Sequence, residues 1–299
     1  MTLKSVGLLS PGDMGHVVGR VLVDRGMPVL TCLEGRSERT RTLAQKAGIQ
    51  AVPSCAQLVR DADLLLSILV PAEATKVAET VARALQDSGE RLVYVDCNAI
   101  APATSRAIGE IIVQAGSTFV DAGIIGPPPT RQGATRFYTS GPDTTAFEAL
   151  NQCGLDVRVV GEEIGQASGF KMCYAALTKG FFALATELLV AARRLGMYEG
   201  LVEEFQLSQA LRYASMEAEL PRTPPKVGRW IGEMEEIAST FADLGLTPKI
   251  HLGAADMYRF VSQTPLAAET PETRDSERTL AQMIEILAQT TERGRDASG

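Results

Sequence analysis

The chain has 299 residues, of which 45% are hydrophobic and 22% charged, with a formal net charge of −7. That length accommodates one large or two ordinary domains, and the acidic balance argues against nucleic acid as a partner. Five cysteines (Cys32, Cys55, Cys97, Cys153 and Cys173) form no Cys-x-x-Cys pair and read as free thiols of a reducing compartment. His16 and His251 are the only histidines, so no metal site is expected. No basic-then-apolar leader and no uninterrupted apolar run of about 20 residues is present, so a cytoplasmic protein without a membrane partner is expected.

The first 37 residues set the pattern. An apolar strand, Val6-Gly7-Leu8-Leu9, runs into Ser10-Pro11-Gly12-Asp13-Met14-Gly15, then a run of helix formers to Arg25-Gly26, then a second apolar strand, Pro28 to Leu33. This is a βαβ unit whose turn reads Ser-x-Gly-x-x-Gly, one residue short of the dinucleotide fingerprint. In that fingerprint the second glycine lets backbone approach a pyrophosphate and the third lets helix pack on strand. The start of the helix then faces the phosphates. Ser10 stands in place of the first glycine, where a turn is still possible.

The ribose contact belongs at the end of the second strand. Glu34 lies there, about 20 residues past the glycines, and suits a free 2′-hydroxyl. Gly35-Arg36-Ser37 follows at once, with Arg39 and Arg41 close behind, and a guanidinium with a hydroxyl suits a 2′-phosphate. The balance favours NADP, with NAD possible and a solvated basic helix start as the bland alternative.

Strand and helix then alternate: helix to Ala47, strand Ile49–Val52, helix from Ser54, strand Asp63–Val70 ended by Pro71, helix Ala72–Leu85, strand Arg91–Val95, and a helix from Pro102 to Gln114. Alternation of this kind implies a parallel, doubly wound sheet, with ligands beyond the carboxyl ends of its strands. Those ends are Ser10–Gly15, Val70–Pro71 and Cys97–Ile100. Thr118–Ile125 is a further strand that enters Gly126-Pro127-Pro128-Pro129, a stiff loop poor in donors. Thr135–Gly141 reads as a returning strand, and a strand at Asp156–Val160 closes the first domain.

Strand signals stop at Glu162. The division predicted is therefore a Rossmann-type NAD(P)-binding domain over 1–161 and an all-helical substrate and dimerisation domain over 162–299, joined by a long helix, Gly165–Leu195. Phe170, Tyr174, Leu177, Phe181, Leu184 and Leu188 recur on it at helical spacing, an apolar stripe expected inside a helical domain or at a subunit interface. Further helices are predicted at Val202–Glu219, Pro225–Leu244, Pro248–Ser262 and Ser276–Arg293, with a disordered tail over 294–299. A homodimer through the helical domain is expected.

Lys171 lies one turn into the long helix. A lysine there can hold or transfer a proton as a carbonyl takes hydride, although a lone helical lysine is more often a snorkelling surface charge. Tyr174, three residues on, shares roughly its face. Trp230, the only tryptophan, lies in Arg229-Trp230-Ile231-Gly232-Glu233-Met234-Glu235-Glu236 and reads either as a pocket wall or as core. His251, at a helix start, faces the same choice.

Taken together these stretches resemble the β-hydroxyacid dehydrogenase superfamily, which includes 3-hydroxyisobutyrate dehydrogenase, 6-phosphogluconate dehydrogenase and the imine reductases. Gly12-Asp13-Met14-Gly15 is similar to its Gly-x-Met-Gly loop, and Gly35-Arg36-Ser37 to the Asn-Arg-Thr of its NADP users. Asp96-Cys97-Asn98 resembles a strand end that contacts cofactor and substrate, and Asp121-Ala122-Gly123-Ile124-Ile125-Gly126-Pro127 its substrate loop. Lys171 falls on the superfamily's general acid/base. The departures are Ile125-Gly126-Pro127 for Ser-Gly-Gly, Ala175 for an asparagine and Gly232-Glu233 for a Lys-Asp pair. The likeness extends to a phosphogluconate-dehydrogenase-like branch with this Gly-Pro-Pro loop.

The resemblance implies an NADP-dependent oxidoreductase acting on a hydroxy acid or carbonyl compound. Lys171, Tyr174 and Asn98 would be catalytic. Ser10 to Gly15, Arg36, Ser37, Val70, Pro71 and Asn98 would hold the cofactor. Ile125, Gly126, Pro127, Lys171, Trp230 and His251 would meet a small-molecule substrate. An imine reductase and a catalytically silent NADP-binding protein are the alternatives.

Overall fold

Leu64, Leu65 and Leu66 are consecutive and all fully buried. Leu64 and Leu66 join one apolar cluster and Leu65 the other. Successive strand residues point to opposite faces, so this strand is covered on both sides, as the continuous apolar run requires. Each such leucine contributes about 1.5–3 kcal/mol by leaving water. Val95 and Tyr94, and Val120 and Phe119, divide between the same two clusters.

The computed structural model describes residues 3–270 and 272–290. In chain order its first part runs β1 (Val6–Leu9), α1 (Gly15–Asp24), β2 (Val29–Cys32), α2 (Glu38–Lys46), β3 (Gln50–Val52), α3 (Cys55–Asp61) and β4 (Leu64–Ser67). It continues with α4 (Ala74–Ser88), β5 (Val93–Asp96), α5 (Pro102–Gln114), β6 (Thr118–Ile125), β7 (Arg136–Ser140), α6 (Thr145–Glu148) and β8 (Val157–Gly161). The strands form one sheet in the order β3-β2-β1-β4-β5-β6-β7-β8. All neighbours are parallel except β6 and β7, which are antiparallel. The order reverses between β1 and β4, and it is outside the carboxyl ends of strands at such a point that doubly wound sheets bind ligands. Val70, expected at the end of β4, falls outside it, because the chain leaves the sheet at Ser67 and turns through Pro71–Glu73.

The second part is helical: α7 (Gln166–Arg194), α8 (Tyr198–Ser208), α9 (Ala210–Glu219), α10 (Val227–Asp243), α11 (Lys249–Ser262) and α12 (Leu280–Gln289). The chain divides into two compact units after Cys173, inside α7, whereas the sequence placed the division ahead of that helix. The single helix expected over Val202–Glu219 is two, broken at Gln209, whose φ and ψ of −136° and 33° leave the helical region. α12 begins at a capping box of Thr279 and Gln282. The positions expected to complete that helix beyond 290, and the predicted tail over 294–299, lie outside the described residues.

Of the two places expected for the α7 stripe, the interior of the helical unit does not hold for all of it. Ala183, Ala185, Leu189, Val190 and Ala192 are buried, whereas Leu177 and Leu184 of the predicted stripe are 75% and 59% exposed. Small residues face the packed side because they let helices approach closely. By length and composition α7 is also the one described helix apolar enough to cross a bilayer. Its Lys179, however, forms a buried 2.8 Å ion pair with Glu233 of α10, and Tyr258 of α11 donates a 2.6 Å hydrogen bond to the Lys179 carbonyl. These contacts make its second half a core helix of the helical unit.

Candidate functional site

The glycine turn after β1 has the geometry its sequence demands. Ser10 has φ +71° and is the only non-glycine among the described residues in the left-handed region. It occupies the position of the fingerprint's first glycine and adopts the backbone a glycine would take there, a conformation costing a side-chain-bearing residue about 1–3 kcal/mol. The Gly12 N–H donates to the Ser10 carbonyl at 2.8 Å. A Cβ on Gly15 would stand 2.5 Å from that same carbonyl, while one on Gly12 would meet nothing within 4 Å. Gly15 is therefore required by packing, and Gly12 leaves open space for a phosphate to approach. Pro11, Asp13 and Met14 complete the turn into α1.

His16, which the sequence reading passed over, adds a brace. Its Nδ1 lies 2.7 Å from the Gly12 carbonyl, which can only accept, so Nδ1 carries the hydrogen.

At the end of β2, Glu34 is exposed and Arg36 half-buried. Ser37 caps α2, its hydroxyl accepting from Thr40 N–H at 3.3 Å. Arg39 does not stand open as a third arginine: it pairs with Asp13 of the glycine turn at 2.6 Å. That contact is half exposed and worth at most about 1 kcal/mol, but it ties the glycine turn to the start of α2.

Asn98 is held by the chain itself. The sequence reading expects it to contact cofactor and substrate; its side chain is buried, and both its amide oxygen and its amide nitrogen have partners within the chain. Its Oδ1 accepts from Leu69 N–H. Its Nδ2 donates to Ser67 Oγ at 2.9 Å and Asp96 Oδ2 at 3.0 Å. These partners fix the amide orientation, since a backbone N–H must meet oxygen and a carboxylate must meet nitrogen. Asn98 thus clasps the end of β5 to the loop after β4, where Val70 is exposed and Pro71 begins a short turn.

β6 carries the densest polar arrangement. Asp121 is fully buried. Its Oδ1 accepts from Ser105 Oγ at 2.9 Å and Ser168 Oγ at 2.6 Å. Its Oδ2 accepts from Ser140 Oγ at 3.2 Å and from the N–H groups of Gly165 and Ser168, both at 2.9 Å. Beyond it, a Cβ on Gly123 would come within 2.8 Å of Lys171 Cβ, so glycine lets α7 lie against the strand. Lys171 Nζ donates to the Ile124 carbonyl at 2.6 Å. Ile125 is buried. Gly126 has φ +115°, and any side chain on it would collide with the Ala134 carbonyl. The Pro127 carbonyl accepts from Thr135 Oγ1. The first unit therefore brings Lys171 to the strand that enters the Ile125-Gly126-Pro127 loop.

The sequence profile of the NAD binding domain of 6-phosphogluconate dehydrogenase matches residues 5–157, just over half of the chain. The chain belongs to the β-hydroxyacid dehydrogenase superfamily. A domain of unknown function, DUF1932, matches residues 192–261. The conserved protein MTH1747, whose structure is described as similar to 3-hydroxyacid dehydrogenases, is 31% identical, with 86% of this chain and 97% of that chain covered and a TM-score of 0.64. An uncharacterised 28.5 kDa protein of Methanothermus fervidus is 26% identical over 211 residues, 71% of this chain and 80% of that protein. The 3-hydroxyisobutyrate dehydrogenase of Mycobacterium tuberculosis shares the fold at 18% identity, a TM-score of 0.67 and coverage of 96% and 99%. Membership of this superfamily makes the chain an NAD(P)-dependent oxidoreductase by class, with a Rossmann-type nicotinamide-cofactor domain.

In the helical unit, Trp230 and His251 are core residues rather than an exposed wall. Trp230 packs edge-on against Tyr258 at 5.3 Å, with Lys179 Nζ 5.6 Å from its centre. His251 lies 4.6 Å from the Phe241 ring, and its burial pushes its pKa down. Tyr174 begins this unit and is half exposed.

Asp96, registered beside Asp121 across the sheet, has its pKa raised from 3.8 to about 7, first by burial, then by the neighbouring Asp121 charge, against the opposing hydrogen bonds from Asn98. Folding thus favours its neutral form. The corresponding stability is present below the unfolded value and is lost as pH rises through the folded value. Between about pH 5 and about pH 8, Asp96→Asn should therefore become less destabilising relative to wild type in urea unfolding; a difference between the two proteins that does not change with pH overturns this.

Proposed function

We propose that the chain is an NADPH-preferring oxidoreductase that moves hydride between the nicotinamide and a small hydroxy-acid or carbonyl compound, with Lys171 as general acid and base. The observation that carries this reading is the Lys171 ammonium held on the Ile124 carbonyl, on the strand leading into the Ile125-Gly126-Pro127 loop. The turn Ser10–Gly15 fits a pyrophosphate, since its strained Ser10, close-packed Gly15 and open Gly12 reproduce the three demands of a dinucleotide turn. Arg36, beside the capping Ser37, supplies the charge for a 2′-phosphate.

When bound, the cofactor supplies or accepts the hydride. The chain's own part is a proton. Lys171 Nζ donates it to the substrate oxygen in reduction and recovers it in oxidation, while the Ile124 carbonyl fixes the direction of the ammonium. A second reading, imine reduction, is favoured by the loop itself: Ile125 is a buried alkyl group and Pro127 lacks an N–H, so the loop is poorly equipped to bind a carboxylate. A panel of hydroxy acids, aldehydes, ketoacids and cyclic imines separates the two readings.

We also propose a homodimer through the helical unit, supported by the exposed apolar residues Tyr174, Leu177 and Leu184 on one helix. Light scattering should give twice the 32.0 kDa chain mass, reduced to one chain by Leu184→Glu; a wild-type monomer removes the proposal.

For the cofactor, separate fluorescence titrations with NADPH and NADH should show tighter NADPH binding. Arg36→Ala should weaken NADPH by about tenfold or more, the worth of one charged hydrogen bond, and leave NADH unchanged. Tighter NADH binding would transfer the selectivity to Glu34. For the proton, Lys171→Ala should lower kcat/KM by about 10²- to 10⁴-fold on any accepted substrate, with NADPH affinity retained; unchanged turnover would remove Lys171 from the mechanism.

A further inference from the structure

The Asp121 cluster joins four separate pieces of chain. Ser105 comes from α5, Ser140 from β7, and Gly165 and Ser168 from the start of α7. The first N–H groups of any helix lack partners within the helix, and a carboxylate there is favoured by the helix dipole as well. For α7 that carboxylate comes from a strand 44 and 47 residues earlier. Ser140 Oγ extends the arrangement by accepting from Ala167 N–H at 2.9 Å.

The geometry continues along both elements. Ser168 is three residues before Lys171 on α7, and Asp121 is three residues before Ile124 on β6. One contact, Asp121 with Ser168, sets where the helix starts on the strand. A second, Lys171 Nζ with the Ile124 carbonyl, lies one helical turn and three strand residues further on. Between them Gly123 lets the two backbones approach. Helix and strand are thus held in register at two points, and the second point is the amine.

We propose that Asp121 is the positioning residue for Lys171: through Gly165 and Ser168 it fixes the start of α7 on β6 and so sets where the Lys171 ammonium sits. This rests on the reading of Lys171 as acid and base, and deepens it. Asp121 itself lies away from the reacting atoms. Its arms are unequal. The Ser168 arm lies on α7 itself, three residues from Lys171, whereas the Ser105 arm reaches the same carboxylate from α5, which packs against the α7 start at Gly165 through Pro102 and Arg106 but does not carry the amine.

The inequality supplies the test. Ser168→Ala and Ser105→Ala each remove one hydroxyl donor from the same Asp121 oxygen, so a role in folding alone would make them equivalent. Trinitrobenzenesulfonate, which modifies lysine amines, is applied to the full-length protein, and the modification rate of Lys171 is read by peptide mapping against the other lysines. Ser168→Ala should change the Lys171 rate by about tenfold, the worth of one hydrogen bond to a charged group, with the remaining lysines unaltered. Ser105→Ala should change it clearly less, by about threefold or under, because its effect reaches the amine only through the shared carboxylate and the packing of α5. Equal effects of the two variants, or no effect of Ser168→Ala, overturn the proposal. Asp121→Asn is a stronger third variant where it folds, since its amide nitrogen would confront N–H groups. The labelling rate does not depend on turnover. Altered labelling with no catalytic consequence would uphold the positioning and sink the Lys171 mechanism; unaltered labelling beside a Lys171-dependent activity would do the reverse.

Discussion

A carboxylate without exposed surface lies in the middle of β6, and the start of the longest helix is tied to it. Burying that group removes it from water at a cost of several kcal/mol, and five donors with good geometry offset the loss. Two of the donors are N–H groups of the α7 start that would otherwise lack helical partners. The arrangement therefore satisfies two buried needs at once: an anion without hydration and a helix end without acceptors. Removing either one exposes the other, which makes the joint between strand and helix cooperative. The placement of Lys171, the need for glycine at position 123 and the path of Ile124 into the following loop all depend on that joint.

The glycine turn shows a different balance. Ser10 holds a backbone conformation that glycine would adopt with less strain, and it persists because the surroundings determine it. Its carbonyl meets Gly12 N–H and faces Gly15 closely enough that no side chain fits. The turn thus tolerates loss of the first fingerprint glycine, where only backbone freedom is at stake, and keeps the third, where the space itself is occupied. Asp13 and Arg39 then couple this turn to the start of α2, so the pyrophosphate and ribose ends of the proposed cofactor site are not independent.

Much of this was legible in the sequence, for identifiable reasons. Strand, turn and helix in the first unit follow from local signals: the uninterrupted Leu64–Leu66 run, the glycines at 12 and 15, the proline at 102. The parallel sheet follows from their alternation. What was not legible depends on partners far apart in the chain. The sequence offered Asn98 as a polar group at a strand end but could not show that Ser67, Leu69 and Asp96 engage its whole amide. It placed Asp121 in a substrate loop without showing that the carboxylate points to serines and N–H groups from other elements. On α7, periodicity located an apolar stripe but not which side faces the core; the small residues Ala183 and Ala185 are inside because close approach selects for size as well as polarity. Trp230 and His251 were ambiguous for the same reason, since residue type alone does not separate a pocket wall from a packed interior.

Two buried acids on neighbouring strands carry these ideas one step further. Asp96 and Asp121 are in register, and the Asp121 charge helps to raise the pKa of Asp96 to about 7. Asp121 has five donors, drawn from three elements beyond its own strand; Asp96 has the backbone and side chain of Asn98, two residues away. The same layer of the sheet thus holds one carboxylate bound into long-range structure and another satisfied locally and poised near neutrality. Through Asn98 the second acid is linked to the loops after β4 and β5, at the carboxyl edge of the sheet, while the first is linked to α7. A proton on Asp96 would weaken the Asn98 clasp by discharging the carboxylate that accepts from it, and it would also relieve the repulsion with Asp121. The two ends of the proposed site, loop clasp and lysine-bearing helix, are therefore joined electrostatically across a single pair of strands.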